Sequence, residues 1–321
     1  MKAKKNKKQV EKVRHYPRIS REKFLSQIGI IMATAPFVTR MLGAFKGRYA
    51  FYTRNFELSF PNLPEAFDGI KICHISDLHL GSFGSNREPV DEAFSLINEQ
   101  NPDLILFTGD MVNNFAAEMQ GWESVFTQLK APMGKFAVLG NHDYGNYSRW
   151  LSPEEKEENF VNLIRNYSKL GFTLLRNQSV ILSRNGATIG LGGSENWGKV
   201  GSVPQFGDLE KTADDIKNAP FRILMSHDPD HWDEQVLKHD FFDLTLSGHT
   251  HGMQFGIEKG NVRWSPAQYF QKRWAGMYSQ NDRFLYVNRG LGYHGIPARV
   301  GMPPEITVIE LKKGHLSSVF V

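Results

Sequence analysis

The fold is decided at positions 70–79, where the chain reads IKICHISDLH. The mostly apolar run Ile70–Ser76 ends in a carboxylate, Asp77, and an imidazole, His79. A short apolar run of this kind is typical of a buried β-strand. We therefore predict a strand over Ile70–Ser76 that carries Asp77 at its C-terminal end.

Two further apolar runs repeat this pattern along the chain. Leu104–Thr108 ends at Gly109-Asp110, and Phe136–Leu139 ends at Gly140-Asn141-His142-Asp143. Stretches with helical spacing separate the three runs, and strands that alternate with helices favour a parallel sheet with right-handed crossovers. The polar residues should therefore gather at one edge of the sheet, where open α/β sheets place their functional sites.

The second half of the chain is richer in short strands. Asn185-Gly186 predicts a hairpin turn, and two later strands end at Ser226-His227 and at Gly248-His249-Thr250-His251. This order fits two sheets with helices outside them. The remaining predicted helices are Glu88–Gln100, Glu118–Leu129, Pro153–Leu170 and Asp208–Ile216, and the remaining predicted strands are Phe51–Phe60, Phe172–Leu175, Val180–Ser183, Ala187–Leu191, Arg222–Met225, Asp243–Leu246, Phe284–Val287, Ile306–Leu311 and Leu316–Val321.

The five polar stretches together supply the ligand set of a paired divalent-metal site. They offer carboxylates, imidazoles and one amide oxygen, and Asp110 is the candidate for a carboxylate that bridges two cations. A glycine before each of Asp110, Asn141 and His249 would let the strand turn sharply. Two cations about 3.5–4 Å apart generate hydroxide at neutral pH and hold a phosphoryl group during in-line displacement.

In order and residue type, the five stretches resemble those of the calcineurin-like metallophosphoesterase superfamily, from about Phe51 to the C-terminus. The stretches ISDLHLG at 75–81 and PPEI at 303–306 are similar to the bacterial membrane-associated branch of phosphodiesterases. The resemblance implies an α/β fold, the calcineurin-like four-layer sandwich, in which helices flank two mixed β-sheets.

The resemblance also implies site roles. A metal-bridging hydroxide would attack a phosphodiester or pyrophosphate bond, with His142 as the catalytic histidine and Asp143 orienting it. Asp110 would be shared between two divalent metal ions, of Mn, Fe or Zn, whose identity the sequence leaves open. The seven implied metal ligands are Asp77, His79, Asp110, Asn141, His227, His249 and His251.

Several residues near these stretches have less specific signals. Arg289 and Arg299 lie in a glycine-rich loop and are candidates for a substrate-binding phosphate clamp, although a solvated or structural arginine is the favoured interpretation. Asn113 is a candidate support for the site as an outer amide. His294 is grouped with the structural or surface histidines. The aromatic and basic segment Gln254–Tyr278 is interpreted as a self-packed loop, or else as a substrate wall or membrane-facing lip.

The N-terminal region differs sharply from the rest in charge. Residues 1–48 contain 8 lysines and 5 arginines against 2 glutamates, a net charge of +11, so the remainder carries −7. We predict a basic disordered tail at 1–23, a hydrophobic anchor or signal-like segment at 24–45, and a catalytic domain at 46–321. The acidic domain argues against nucleic acid as a partner.

The segment 24–45 predicts attachment to a membrane. Its apolar part, Phe24–Thr39, is shorter than the ~20 residues of a full span. Positive charge before it favours a cytoplasmic N-terminus, and insertion would then make the catalytic domain extracytoplasmic. Cleaved export and a peripheral arm on the cytoplasmic face remain alternatives.

The leading functional hypothesis is a metal-dependent hydrolase of phosphodiester or pyrophosphate bonds, with lipid-linked molecules among the candidate substrates. The alternatives are a soluble-substrate phosphomonoesterase, a nucleotidase, a cyclic-nucleotide phosphodiesterase, or a non-catalytic scaffold. The scaffold is disfavoured because every ligand position and His142 are present.

Overall fold

The computed structural model describes Gly43 and residues 46–199, 205–259 and 262–316. The predicted tail, the predicted anchor except Gly43, and most of the predicted last strand lie outside these residues. Within the described ranges, no helix has both the length and the apolar character that a membrane crossing requires. The chain from Ala44 onward forms one compact unit.

The framework consists of strands and helices. Two longer helices and three short ones lie in the described part of the chain: α1 (Glu88–Glu99), α2 (Glu123–Phe126), α3 (Pro153–Lys169), α4 (Leu209–Asp214) and α5 (Asp230–Glu234). The strands are β1 (Tyr52–Phe60), β2 (Lys71–Ile75), β3 (Leu104–Phe107), β4 (Lys135–Ala137), β5 (Thr173–Leu174), β6 (Gln178–Arg184), β7 (Ala187–Gly193), β8 (Arg222–Met225), β9 (Leu244–Ser247), β10 (Ile257–Lys259), β11 (Val262–Trp264), β12 (Gly276–Gln280), β13 (Arg283–Val287) and β14 (Glu305–Lys313).

The strands form two six-stranded mixed sheets and one small hairpin. The first sheet has the order β1-β14-β2-β3-β4-β5, and the second has the order β12-β13-β9-β8-β7-β6. Strands β2 to β5 are parallel, as are β7, β8, β9 and β13. Strands β10 and β11 pair only with each other, in antiparallel register. The predicted parallel arrangement of β2, β3 and β4 is confirmed.

The two sheets pack face to face with helices outside, which confirms the four-layer sandwich. Alternate residues of each strand point to opposite faces. Ile72 of β2 therefore joins Ile223 of β8 in the core between the sheets, whereas Cys73 faces the outer core formed with α1 and α3. On the far side, Leu224 packs against α4 and α5.

Two sequence predictions are wrong in this region. The predicted helix Glu118–Leu129 is interrupted at Gly121, whose φ of 74° is left-handed, and only α2 and a 3₁₀ turn at Ala116–Met119 form. The Glu118 carboxylate instead accepts backbone N–H groups of the preceding loop, including those of Asn113 and Phe115. Gln254–Tyr278 is also more than a loop, because it contains the β10–β11 hairpin and the start of β12.

Candidate metal centre

The ends of five strands bring the seven predicted ligands together. The first sheet contributes side chains after β2, β3 and β4, and the second contributes side chains after β8 and β9. Within the described residues, three groups of donor atoms each have all their atoms within 4.8 Å of one another. Two consist of predicted ligands, namely Asp77, His79 and His251, and Asp110, His227 and His249, and the third joins His79 to His142 and His294. Asn141 lies against the second group.

The first group gathers around two imidazole nitrogens. Nε2 of His79 lies 3.1 Å from Nε2 of His251, and the latter nitrogen lies 3.5 Å from Oδ1 of Asp77. Oδ2 of Asp110 approaches Nε2 of His79 to 3.6 Å. Two imidazoles and two carboxylates therefore point their donor atoms at one small volume, as a divalent transition ion requires.

The second group has the same character and shares Asp110. Oδ2 of Asp110 lies 3.3 Å from Nε2 of His227. Oδ1 of Asn141 lies 3.0 Å from that nitrogen and 2.7 Å from Nδ1 of His249. One carboxylate oxygen of Asp110 thus faces both groups, which is the position that a bridging ligand takes.

The backbone at these strand ends adopts an unusual conformation. Five of the seven predicted ligands have positive φ, although none is glycine. Such residues are uncommon and cluster at functional sites, where the surrounding structure holds the strain. The five residues, with their φ angles, are Asp77 (52°), His79 (49°), Asp110 (59°), His249 (72°) and His251 (50°).

The glycines before the ligands act in two different ways. Gly109 has a φ of 98°, so the predicted sharp turn is confirmed there. Gly140 has a φ of −100°, which any residue can adopt, so the turn is not the reason for a glycine at this position. A Cβ on Gly140 would instead lie 2.6 Å from the amide nitrogen of Asp110 and 2.7 Å from Cε1 of His227. Its role is to let the strands approach closely.

In three of the predicted ligand rings, the outer nitrogen, which points away from the cluster, faces an acceptor. The inner nitrogen, which points into the cluster, is then free to bind a cation. Nδ1 of His79 faces Oδ1 of Asn113 at 3.1 Å, and Nδ1 of His227 donates to the Thr108 carbonyl at 2.6 Å. Nε2 of His249 faces the Asp228 carboxylate at 3.6 Å. An acceptor on the outer nitrogen fixes the proton there and leaves the inner lone pair available. These residues therefore fit a metal.

Arg299 and Arg289 are buried rather than open to a substrate. The Arg299 guanidinium donates to the carbonyl oxygens of Gly292, Met302 and Arg289, and its Nη2 lies 3.1 Å from Nδ1 of His251. A guanidinium can only donate, so a cation at Nε2 of His251 requires this last contact to shift. Arg289 is 1% exposed and pairs with Glu258 at 2.7 Å. The clamp role stays a prediction that this burial does not favour.

Burial and neighbouring charges shift the pKa values of the cluster in opposite directions. Burial lowers the pKa of His79 to about 3, so this ring is neutral. Burial also opposes protonation of His227, but the adjacent Asp110 carboxylate raises its pKa to about 10. In the metal-free chain His227 therefore holds a proton that neutralises Asp110. A cation would displace that proton, because metal binding at such sites releases protons.

The structure places Asp143 differently from the prediction. Its carboxylate accepts the N–H groups of Asp110 and Met111 at 3.0 Å, that of Gly140 at 2.9 Å, and the Tyr167 hydroxyl at 3.0 Å. It therefore ties together the loops that carry Asp110 and Asn141. Burial, followed by repulsion from Asp110, raises the Asp143 pKa to about 7.

The partner that orients His142 is a backbone group. Nδ1 of His142 donates to the Asn113 carbonyl at 2.8 Å, and the predicted orienting contact from Asp143 does not form. Asn113 consequently supports two rings, because its side chain faces His79 and its carbonyl accepts from His142.

Sequence analysis missed three residues at the centre. The ring centroid of His294 lies 4.3 Å from that of His142 and 5.0 Å from that of His79. Tyr147 accepts a hydrogen bond from Nδ2 of Asn141 at 2.9 Å, and Asp228 faces His249. The available signal was position: His294 follows β13, a parallel strand that ends at the same edge as β8 and β9.

Comparison with known proteins gives a consistent result. A family model described as "Calcineurin-like phosphoesterase" matches residues 70–253. The chain is 34% identical to the metallophosphoesterase YkuE of Bacillus subtilis (strain 168), over 78% of this chain and 82% of that protein. It is 29% identical to phosphodiesterase YaeI of Escherichia coli (strain K12), over 75% and 82%. It is 28% identical to a "Transmembrane protein with metallophosphoesterase domain" of Danio rerio, over 80% and 56%.

Proposed function

Because the chain belongs to the calcineurin-like phosphoesterase family and is a metallophosphoesterase, we propose that it hydrolyses phosphodiester or pyrophosphate bonds at a centre of two divalent cations. One observation carries the proposal. Asp110 faces both donor groups, with Oδ2 lying 3.6 Å from His79 and 3.3 Å from His227. A pair of cations at this position lowers the pKa of water and neutralises phosphoryl oxygens.

The protein's own residues supply position and proton transfer. Asp110 holds the two donor groups at a fixed separation, and the backbone N–H of His142 donates to Oδ1 of Asp110 at 2.8 Å. Since Nδ1 of His142 donates to Asn113, Nε2 is the nitrogen available to the departing oxygen of the substrate. We therefore assign His142 to leaving-group protonation or to stabilisation of the charge that develops on that oxygen.

The phosphodiester preference is supported by the relative named phosphodiesterase YaeI. A soluble-substrate phosphomonoesterase, nucleotidase or cyclic-nucleotide phosphodiesterase would use the same centre. Hydrolysis of a bis-aryl phosphate and of the matching mono-aryl phosphate separates a phosphodiesterase from a phosphomonoesterase or nucleotidase, because the leaving group is the same in both. Hydrolysis of a cyclic nucleotide tests the remaining alternative. The proposal predicts a higher kcat/KM on the diester, and a clear preference for the monoester would contradict it.

Metal dependence is tested by chelation and reloading. A chelator-treated sample should lose activity and regain it with Mn²⁺, Fe²⁺ or Zn²⁺, and elemental analysis should find two ions per chain. Availability often decides which of these ions such donors bind, so each is added separately. Full activity in a sample free of metal would refute the mechanism.

Membrane attachment through residues 24–45 also remains a proposal, with the catalytic domain extracytoplasmic or peripheral on the cytoplasmic face. It is supported by the +11 charge of residues 1–48 beside an apolar stretch and by the relative named transmembrane. A lipid-linked substrate would be consistent with this attachment. Fractionation of the full-length protein tests it, and recovery of all the protein in the soluble fraction would exclude an anchor.

A further inference from the structure

Exposed apolar side chains concentrate on one part of the surface. Fifteen large hydrophobic residues in the described part of the chain are well exposed, and eight of them come from positions 253–300. The most exposed of these eight are Tyr269 at 72%, Ile296 at 70% and Phe270 at 69%. We name these eight the apolar rim: Met253, Phe255, Ile257, Val262, Tyr269, Phe270, Ile296 and Val300.

The two faces of the β10–β11 hairpin carry different kinds of side chain. Cross-strand partners share a face, so Ile257 and Trp264 lie on one side, with the pair Lys259 and Val262. The other pair, Glu258 and Arg263, lies on the opposite face.

The charged face of the hairpin contacts the rest of the protein. Glu258, although exposed, pairs with Arg54 and Arg289, and the Arg263 guanidinium lies 4.6 Å from the Trp274 ring centroid. On the other face, Ile257 is 53% and Val262 is 59% exposed, beside the exposed Lys259. An antiparallel ribbon with one solvated face normally shows its polar side to water. Exposed aliphatic side chains beside a lysine are instead suited to an interface between water and an apolar phase.

The apolar rim is continuous across the two segments that form it. Phe255 and Val300 form a parallel bridge, and the Phe255 ring lies 6.1 Å from that of Trp264. The Trp264 indole in turn faces the Tyr269 hydroxyl at 3.5 Å. One patch of this extent, with most members near half exposed or more, is larger than the isolated apolar residues common on protein surfaces.

The apolar rim adjoins the metal centre. Gln254, between Met253 and Phe255, accepts the backbone N–H of His294 at 2.7 Å and donates to the Ile296 carbonyl at 2.8 Å. His294 in turn contacts the ring of His142. A surface that covers the rim would therefore lie beside His294 and His142.

Residues 46–50 lie at the same surface. Nη1 of Arg48 donates to the Pro297 carbonyl at 2.9 Å, and its guanidinium lies 5.0 Å from the Tyr293 ring centroid. These residues thus lie against the loop that carries Ile296 and Val300. In the sequence, they directly follow the basic and apolar stretch of residues 1–45.

We propose that the apolar rim is a contact surface for an anionic lipid bilayer. Its aromatic and aliphatic side chains would enter the interfacial region, where tyrosine and other aromatic residues partition favourably. The stretches 253–270 and 293–302 contain one acidic residue, Glu258, which Arg54 and Arg289 neutralise. The exposed Lys259 would face anionic headgroups. This surface is independent of the chemistry proposed for the centre.

Site-specific labelling of the full-length protein tests the proposal. The chain has one cysteine, Cys73, which is fully buried, so an introduced cysteine can be labelled selectively in the folded protein. Phe270→Cys and Ile296→Cys would each carry an environment-sensitive fluorophore. Leu151→Cys is the matched control, because Leu151 is 96% exposed and lies outside the rim. All three are reconstituted in phosphatidylethanolamine–phosphatidylglycerol vesicles with and without a nitroxide-labelled lipid.

The proposal predicts a blue-shifted emission at 270 and 296 that the nitroxide lipid quenches, with neither effect at 151. Equal behaviour of all three labels would overturn it. A blue shift at 270 and 296 without lipid quenching would also overturn it, because the rim would then be covered by a second copy, another protein or the N-terminal segment.

Discussion

Nε2 of His79 and Nε2 of His251 lie 3.1 Å apart, although 172 positions separate these residues in the chain. The two rings follow strands of different sheets. Asp77 approaches the His251 nitrogen, and Asp110 approaches the His79 nitrogen. Two buried imidazole nitrogens can share such a volume only with a proton or a cation between them. The relationship therefore links the packing of the two sheets directly to metal binding, and it makes the centre sensitive to single substitutions.

Asp110→Asn should abolish binding of both ions. The change removes the charge that faces His79 and His227, and an amide is a weaker bridge than a carboxylate. Elemental analysis should show fewer than one ion per chain, with activity lost in parallel. The control is Asp215→Asn, since Asp215 is exposed and remote in sequence from every ligand. Retention of two ions by Asp110→Asn would contradict the bridging role.

His142→Ala should lower turnover while the metal content stays normal. Proton transfer by a positioned side chain contributes about 10²–10⁴-fold to the rate. We expect the larger loss of kcat for substrates with basic leaving groups, such as alkyl phosphodiesters. The loss should be smaller for p-nitrophenyl esters, because p-nitrophenolate departs without protonation. Measuring kcat across a series of leaving groups checks this. A loss that is equal for all of them would remove His142 from the protonation step.

His294→Ala should weaken substrate binding more than metal binding. Its ring lies 4.3 Å from that of His142, but its backbone belongs to the loop after β13. Loss of one hydrogen bond to a bound phosphoester, worth about 1.4 kcal/mol, corresponds to about tenfold in kcat/KM. We expect this change mainly in KM, with normal metal content. His315→Ala is the control at an exposed histidine, and an unchanged KM in His294→Ala would exclude a substrate contact.

The sequence indicated which of the predicted ligand side chains lie close together because the signal is local. Each predicted ligand follows an apolar run. Parallel strands place the residues that follow their C-terminal ends at one edge of the sheet. Asp77, Asp110 and Asn141 could therefore be placed together without knowledge of the second sheet. The four-layer fold followed from the resemblance and from the order of strands and helices.

Residues whose role depends on tertiary contacts could not be predicted. Asp143 follows His142 directly, which suggested that it orients that ring, but its carboxylate points at backbone N–H groups near Asp110. His294 and Asp228 carry no motif of their own. The hairpin of β10 and β11 was also missed, because three residues per strand are too few to show a period. The partners of Glu258, which are Arg54 and Arg289, also lie far away in sequence.

Tyr167→Phe should destabilise the fold through Asp143. The Tyr167 hydroxyl is fully buried and donates to the Asp143 carboxylate at 3.0 Å. A hydrogen bond to a charged group contributes about 1.5–3 kcal/mol, so the free energy of unfolding should fall by about 2 kcal/mol at a pH well above the Asp143 pKa of about 7, where this carboxylate is ionised. Denaturant unfolding measures this, with Tyr52→Phe as the control because Tyr52 is 51% exposed. Equal stability of the two variants would show that the loops do not depend on this contact.

Arg299→Lys separates a structural arginine from a phosphate clamp. The guanidinium is 2% exposed and donates to carbonyl groups of the loop 289–302, including those of Gly292 and Met302. A lysine has three donors on one atom and cannot reach the same set of carbonyls, so the loop behind His251 should loosen. We expect a lower melting temperature and weaker metal binding, with KM unchanged once metal is saturating. A clamp would give the reverse, a raised KM at normal stability and metal affinity. Lys272→Arg, at an exposed lysine, controls for the exchange of cation type.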